Sequence, residues 1–392
     1  MHARSDSVAG PPWVIVAGGF HDRGAMDRAN TALARYLLGR GRTVHLVGHD
    51  IDPEFDDAPA AVVHRVARPA GIDAAGEIVL DWAGRRVAEA ARAADPAARV
   101  LVNGGNCLTY AINWCHAVHA AWPCADEHAS PLFRLRNRLL RARARRREHA
   151  ALRRAPLVIA NSRGTAATLT RRIGLEPSRV HVVYLGTDAS WGIPAAGERQ
   201  AARRWLGVPA DRPLVAFVGT LGHDRNKGFD RLFDAWEALT RGGDWDAALT
   251  VAGGGAALGS WRTRAQASGA DGISFLGQSS RVRELLAAAD LLVSPVRYEA
   301  YGLNVHEALC RNVPVLVSEG AGIVERFDPG LQQFVLPSDA SLSVIAERLR
   351  AWRRDLAGWR ARCGGIGCVL RNRTWTEMAA EIVSLAELEL IA

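Results

Sequence analysis

Short, wholly apolar runs that end on glycine recur along this chain, and they narrow its fold more than any other feature. Residues 13–17 run into Gly18-Gly19, 100–102 into Asn103-Gly104, 214–218 into Gly219, and 249–251 into Ala252 and the 253–255 glycine run. A strand without polar alternation has to be covered on both faces, which is the habit of parallel strands flanked by helices. Helical periodicity fills the gaps, at 27–38, 229–239, 282–288 and 304–310. Further strands are expected at 44–47, 62–66, 157–160 and 180–184 in the first half, and at 273–276, 291–294 and 314–317 in the second. Strand and helix alternate throughout, so the class is α/β.

With 392 residues the chain is longer than the roughly 250–300 at which a single core stops growing. The stretch 186–197 mixes Gly, Pro, Asp and Ser and reads as a linker, after which the alternation restarts. The expected architecture is two doubly wound, Rossmann-like domains, 1–187 and 188–370, facing a cleft. A helix over 371–392 is expected to pack back on the first. Glycine turns at the carboxyl ends of parallel strands are where ligands bind in such sheets. Neither the 18–19 turn nor the 253–255 run completes a G-x-G-x-x-G fingerprint with a following ribose acid, which argues against a dehydrogenase.

No apolar run approaches the roughly 18 residues of a membrane span, and the first residues lack the charged, apolar and small-residue regions of a leader, so the chain is expected in the cytoplasm. Cys107, Cys115, Cys124, Cys310, Cys363 and Cys368 lack the CxxC spacing of a zinc site and read as reduced thiols. The net charge of +8 favours anionic partners: nucleotides, phosphosugars, lipid headgroups or nucleic acid. Arginine supplies 48 of the 49 basic residues, and Lys227 is the single lysine. A compact ammonium is a point charge that arginine's planar fork does not reproduce, so a lone lysine marks a candidate site.

Lys227 stands in the segment Arg225-Asn226-Lys227-Gly228, between the strand ending at Gly219 and the start of a helix. Cations beside a helix N-terminus, whose N–H groups already favour anions, suit a diphosphate. Downstream, EAYGLNVHE places Glu299 in a loop and Glu307 two turns into the next helix, with Gly302 between them allowing close backbone approach. Carboxylates accept hydrogen bonds from hydroxyls, as on a sugar ring or a ribose. In the first half, NWCHAVHAAW sets His116 and His119 near an apolar strand end; the pair has no third ligand nearby for a metal.

Together, the strand–Gly–loop–Lys–Gly segment, the glycine-rich turn and the Glu-x7-Glu segment followed by Ala308-Leu309 and Pro314-Val315 resemble the GT-B retaining glycosyltransferases of family 4. The resemblance runs from about residue 13 to 335 and is most specific in the second half. It implies transfer of a sugar from a nucleotide-diphosphate sugar to an acceptor the sequence does not name, without a metal or other cofactor. Arg225 and Lys227 would then hold the donor diphosphate. Glu299 and the backbone N–H groups of Ala300, Tyr301, Gly302 and Leu303 would address the transferred sugar and phosphate, and Glu307 the ribose. His119 matches the family's histidine at the donor sugar better than His116 does, and Gly24 resembles its first-domain glycine loop. Two positions depart from the pattern: Thr220 stands where many members carry arginine, leaving that charge to Arg225, and Asn312 replaces a glycine.

The run from Arg134 to Arg154 reads as a helix carrying leucines at 132, 135, 139 and 140. It is either a solvated face or a peripheral contact with anionic membrane. Two rival functions fit parts of the pattern. One is a nucleotide-sugar epimerase on the same fold, which leaves Glu307 without its ribose role. The other is a non-enzymatic membrane or nucleic-acid binder, which leaves Lys227, Glu299 and Glu307 without a role; nucleic acid is not the expected partner.

Overall fold

The structure, a computed structural model, describes residues 10–71, 73–122, 129–243, 245–269 and 272–388; Cys124 lies outside these. The chain forms two compact units. The first takes the residues up to Ala120, Arg136–Gly186 and the stretch from Trp375; the second takes Thr187–Thr374 and the described part of Ala121–Leu135.

In chain order the first unit contains β1 (Trp13–Val16), β2 (Gly19–Phe20), α1 (Ala25–Gly39), β3 (Val44–Gly48), β4 (Asp50–Ile51), β5 (Ala61–Arg65), α2 (Asp73–Ala94), β6 (Arg99–Asn103) and β7 (Ile112–Cys115). After α3 (Pro131–Arg154), whose residues up to Leu135 count with the second unit, come β8 (Val158–Ala160), α4 (Arg163–Thr168) and β9 (Val180–Val182). Seven of the strands form one sheet in the order β5-β3-β1-β6-β7-β8-β9, every neighbour parallel. The apolar runs lie where double coverage demands: Trp13, Val14, Ile15 and Val16 of β1 are all within 1% of full burial.

The second unit holds α5 (Glu198–Leu206), β10 (Leu214–Val218), α6 (Phe229–Arg241), β11 (Ala248–Ala252), α7 (Leu258–Ser268), β12 (Ile273–Gly277), α8 (Val282–Ala288) and β13 (Leu291–Ser294). It continues through α9 (Leu303–Cys310), β14 (Val315–Ser318), β15 (Val335–Leu336), α10 (Leu342–Arg354) and α11 (Leu356–Arg371). Its sheet runs β12-β11-β10-β13-β14-β15, again all parallel. Both sheets therefore reverse direction beside their first strand, at β1/β6 and at β10/β13, the switch point where doubly wound sheets leave a crevice. The fold is α/β with two Rossmann-like domains.

Helix α6 shows how sequence becomes packing. Phe229, Leu232, Phe233, Trp236 and Leu239 recur at helical spacing and are all buried. Truncating such a residue, Trp236→Ala for example, costs about 3–5 kcal/mol. The expected linker is not loose: Asp188 accepts from the Ser190 N–H at 2.9 Å, and the buried Arg311 guanidinium reaches the carbonyls of Ser190 (3.2 Å) and Gly192 (3.3 Å) and pairs with Glu198. The last described helix, α12 (Trp375–Leu388), lies against α1 in the first unit and buries Met378, Ala379, Ile382 and Ala386.

One central strand escaped the sequence reading. In β7 the apolar run is broken by Asn113, which is fully buried and exchanges two hydrogen bonds with the Gly104 backbone, at 3.0 and 2.8 Å. An amide that caps the neighbouring turn this way satisfies itself inside the core while hiding the strand from periodicity.

Candidate functional site

In the second unit, two glycine turns at the carboxyl end of the sheet are knitted together. The Gly219 N–H donates to the Ala252 carbonyl at 3.0 Å and the Leu221 N–H to that of Gly254 at 2.8 Å. A Cβ on Gly253 would lie 1.8 Å from the Gly219 oxygen, so only glycine permits that approach.

The loop then turns toward the chain after β13. Asn226, 2% exposed, donates to the Tyr298 carbonyl at 2.9 Å and accepts the Tyr298 N–H at 3.1 Å, while its own carbonyl takes the Arg297 N–H at 2.8 Å. Three bonds from one residue imitate a strand partner. Gly228, at φ 72°, caps α6, and a Cβ there would sit 1.9 Å from the Pro295 oxygen. Arg225 also holds a positive φ, 50°, a conformation costing an L residue about 1–2 kcal/mol. Its carbonyl accepts from Arg297 Nη1 at 2.5 Å.

Three cations converge on this frame. Lys227 Nζ meets Glu299 Oε2 at 2.5 Å, with the two side chains 28% and 19% exposed. Arg297 grips the buried Asp230 with both nitrogens, at 2.8 and 2.6 Å, and Arg225 approaches the same carboxylate at 3.8 Å. Arg225 also lies 5.9 Å from the Trp261 ring. Sequence reasoning missed Arg297 and Asp230; their signal was position, two residues before Glu299 and in the first turn of α6. On the loop's other side Trp122 Nε1 donates to Asp224 Oδ2 at 3.0 Å and its ring meets that of Tyr298.

Glu299 is held by its backbone: its carbonyl accepts the Gly322 N–H at 3.3 Å and that of Tyr301 the Ile323 N–H at 2.7 Å. Gly302, at φ 102°, starts α9 with no side-chain cap, which leaves the helix's first N–H groups, including that of Leu303, outside its own bonding ladder. Ala300, Tyr301 and Leu303 are buried, and the Tyr301 hydroxyl bonds His306 Nδ1 at 2.7 Å. Asn304 ties α9 to the end of β10, donating to the Val218 carbonyl at 3.0 Å. Glu307 lies three residues on, on the same helix face, and is 4% exposed.

The first unit separates the two histidines. His116 packs its ring on Trp114 at 4.4 Å, its carbonyl accepts from Asn161 at 3.0 Å, and burial drives its pKa down to about 3. His119 is 47% exposed, and Glu148, itself 1% exposed, takes both its Nδ1 (2.8 Å) and its backbone N–H (3.0 and 3.2 Å). That hydrogen bond raises the His119 pKa and, with Nδ1 engaged, aims Nε2 outward. Glu148 sits within the arginine run, where no spacing rule linked it to His119. Gly24 caps α1 at φ −126°, a conformation any residue adopts; a Cβ there would meet only the Asp27 carboxylate, at 2.6 Å. Beside it stand His21, Asp27 and Asp50, with His21 Nε2 3.9 and 3.6 Å from the two carboxylates; burial leads in raising the Asp27 pKa. Among the described residues all five cysteines are free, and no three His, Cys, Asp or Glu stand together as metal ligands.

Comparison with known proteins falls on both units. Residues 212–354 match the family model described as glycosyl transferases group 1, and residues 26–191 match that of glycosyltransferase family 4. The 2-deoxystreptamine N-acetyl-D-glucosaminyltransferase of Streptomyces fradiae is 31% identical over 208 residues, 52% of this chain and 47% of its own. The alpha-maltose-1-phosphate synthase of Mycolicibacterium smegmatis is 28% identical over 262 residues, 61% and 64%. The chain thus spans 47% to 64% of the length of these curated relatives. Among solved structures, WaaG, described as a glycosyltransferase involved in lipopolysaccharide biosynthesis, superposes with a TM-score of 0.73 at 20% identity, covering 94% of this chain and 99% of that one. Anabaena Alr3699/HepE in complex with UDP and glucose gives 0.70 at 17%, covering 96% and 100%. At these identities the two likenesses speak to the fold.

Proposed function

Since the chain belongs to the group 1, family 4 glycosyltransferases, we propose that it transfers a sugar from a nucleotide-diphosphate sugar to an acceptor, with retention at the anomeric carbon. The observation that carries this reading is the pair of cations just before α6, Arg225 and Lys227, with Glu299 on Lys227 and Arg297 braced beside them on Asp230. Departure of a diphosphate concentrates negative charge on its oxygens, and preorganised cations there lower the barrier by several kcal/mol. Arg297 is neutralised by the buried Asp230, so it braces the loop, while Lys227 and Arg225 face the leaving group. Donor binding then requires Lys227 to exchange Glu299 for phosphate, which releases the glutamate toward the sugar hydroxyls. Glu307 would take the ribose, and His119, steadied by Glu148, would position the sugar. The reading needs no metal and keeps the protein in the cytoplasm. Relatives of this fold solved with UDP and with UDP-glucose support a nucleotide-sugar donor.

The test is a thermal-shift and calorimetric screen against UDP, GDP, ADP and TDP, run on the wild type, Lys227→Ala and Glu307→Ala. One diphosphate should stabilise the wild type by mass action and lose that effect in both variants. For Lys227→Ala, turnover of the matching sugar donor should fall about 10²–10³-fold. No stabilisation by any nucleotide would defeat the reading.

A further inference from the structure

The two ends of α3 have different surroundings. Toward its C-terminus the helix is anchored: Glu148, Ala151 and Leu152 are buried, and Arg143, Arg145 and Arg147 donate to the carbonyls of Ala74 (3.1 Å), His119 (3.2 Å) and Gly105 (3.3 Å). Toward its N-terminus four leucines face solvent, while Phe133 sets its ring against that of His223 at 5.1 Å. Leu132 is 77% exposed, Leu139 63%, Leu135 55% and Leu140 40%. Arg134, Arg136 and Arg138 are exposed among them, and Glu148 is the one acidic residue in the helix.

At 100° per residue, the four leucines fall within an arc of about 140°, shared between residues 132 and 142 with Arg136, while Arg134, Arg138 and Arg141 gather within about 60° on the opposite side. A solvated helix has no use for four exposed leucines on one arc, because isolated surface apolar residues are normal but a contiguous set marks an interaction face. A polynucleotide would engage the arginines and leave the leucines in water. An apolar arc backed by cations, with no exposed acid, matches the interfacial region of an anionic bilayer, where the leucines enter the acyl boundary and the arginines reach lipid phosphates. Among the described residues no helix is long and apolar enough to cross a membrane, so this contact would lie on the surface.

We propose that the N-terminal half of α3, from Leu132 to Ala142, is a docking face for anionic membrane. The inference does not depend on the transferase reading. It is tested by co-sedimentation of the full chain with phosphatidylcholine vesicles, with and without phosphatidylglycerol, at low and high salt. The wild type should bind the anionic vesicles and release them in salt. The triple variant Arg134→Gln, Arg136→Gln, Arg138→Gln should need roughly a hundredfold more lipid. The quadruple variant Leu132→Ser, Leu135→Ser, Leu139→Ser, Leu140→Ser should lose binding although every arginine remains. The single change Leu139→Asp should shift binding in the same direction with an unchanged melting temperature, which separates the effect from unfolding. Absence of vesicle binding, or a quadruple variant that binds like the wild type, overturns the proposal; tight duplex-DNA binding unaffected by the leucine changes would assign the arginines to nucleic acid instead.

Discussion

The two units share a topology but build opposite turns at the carboxyl ends of their first strands. After β10, the loop is fixed by a buried amide, a bidentate Arg297–Asp230 pair and two positive-φ residues, and it presents cations. After β1, the turn leads to His21 and Asp27, which Asp50 of β4 faces, and Gly24 at the start of α1 has ordinary geometry. His119 hangs on a single buried carboxylate, Glu148. Topology therefore decides where a ligand can sit, while loop residues decide the charge it meets and how rigidly it is met. A rigid cation cradle suits a leaving group whose charge grows; a softer, proton-bearing surface suits hydroxyls.

That contrast can be broken by a methyl group. Gly228→Ala places a Cβ against the Pro295 carbonyl at 1.9 Å and at φ 72°, and should destabilise the second unit by about 4 kcal/mol or more. Gly24→Ala meets only a carboxylate that can swing away, and should cost less than about 0.5 kcal/mol. Urea unfolding of the two variants compares them directly; equal losses would mean the turns are equally constrained.

A smaller effect sharpens the picture of the brace. Arg297→Ala leaves the buried Asp230 with Arg225 at 3.8 Å and the charge of Arg231 nearby, and should cost about 3 kcal/mol. Adding Asp230→Ala should recover part of that loss, because the penalty is chiefly an uncompensated buried charge. Additive losses would show that the pair does not act as a unit.

The smallest effect concerns pH. The Glu148 hydrogen bond raises the His119 pKa above its ordinary 6.5. A raised histidine stabilises the fold fully below its unfolded value and loses that contribution as pH climbs through the folded one. The melting-temperature gap between wild type and His119→Gln should therefore be widest in acid and narrow across neutral pH. A gap that does not change with pH would mean that His119 is held without being charged.

Both central strands, the parallel class and the glycine turns could be read directly, because residues 13–17 and 214–218 are apolar throughout and nothing but double burial suits such runs. The segments around Lys227 and Glu299 could be read because their charges lie close in sequence to a strand end. The partners that hold them could not. Arg297 and Asp230 are 67 residues apart and Glu148 and His119 are 29 apart, and ordinary polar spacing carries no trace of such pairings.

The chain by itself determined what is local: burial on both strand faces, positive-φ glycines, a lone lysine beside a helix start. The tertiary structure alone decided which carboxylate faces which cation, that His116 is packed while His119 is held by its ring nitrogen, and that the leucines of α3 stay in solvent. Those outcomes depend on distances between segments remote in sequence, and both desolvation and Coulomb energy are set by those distances rather than by residue order.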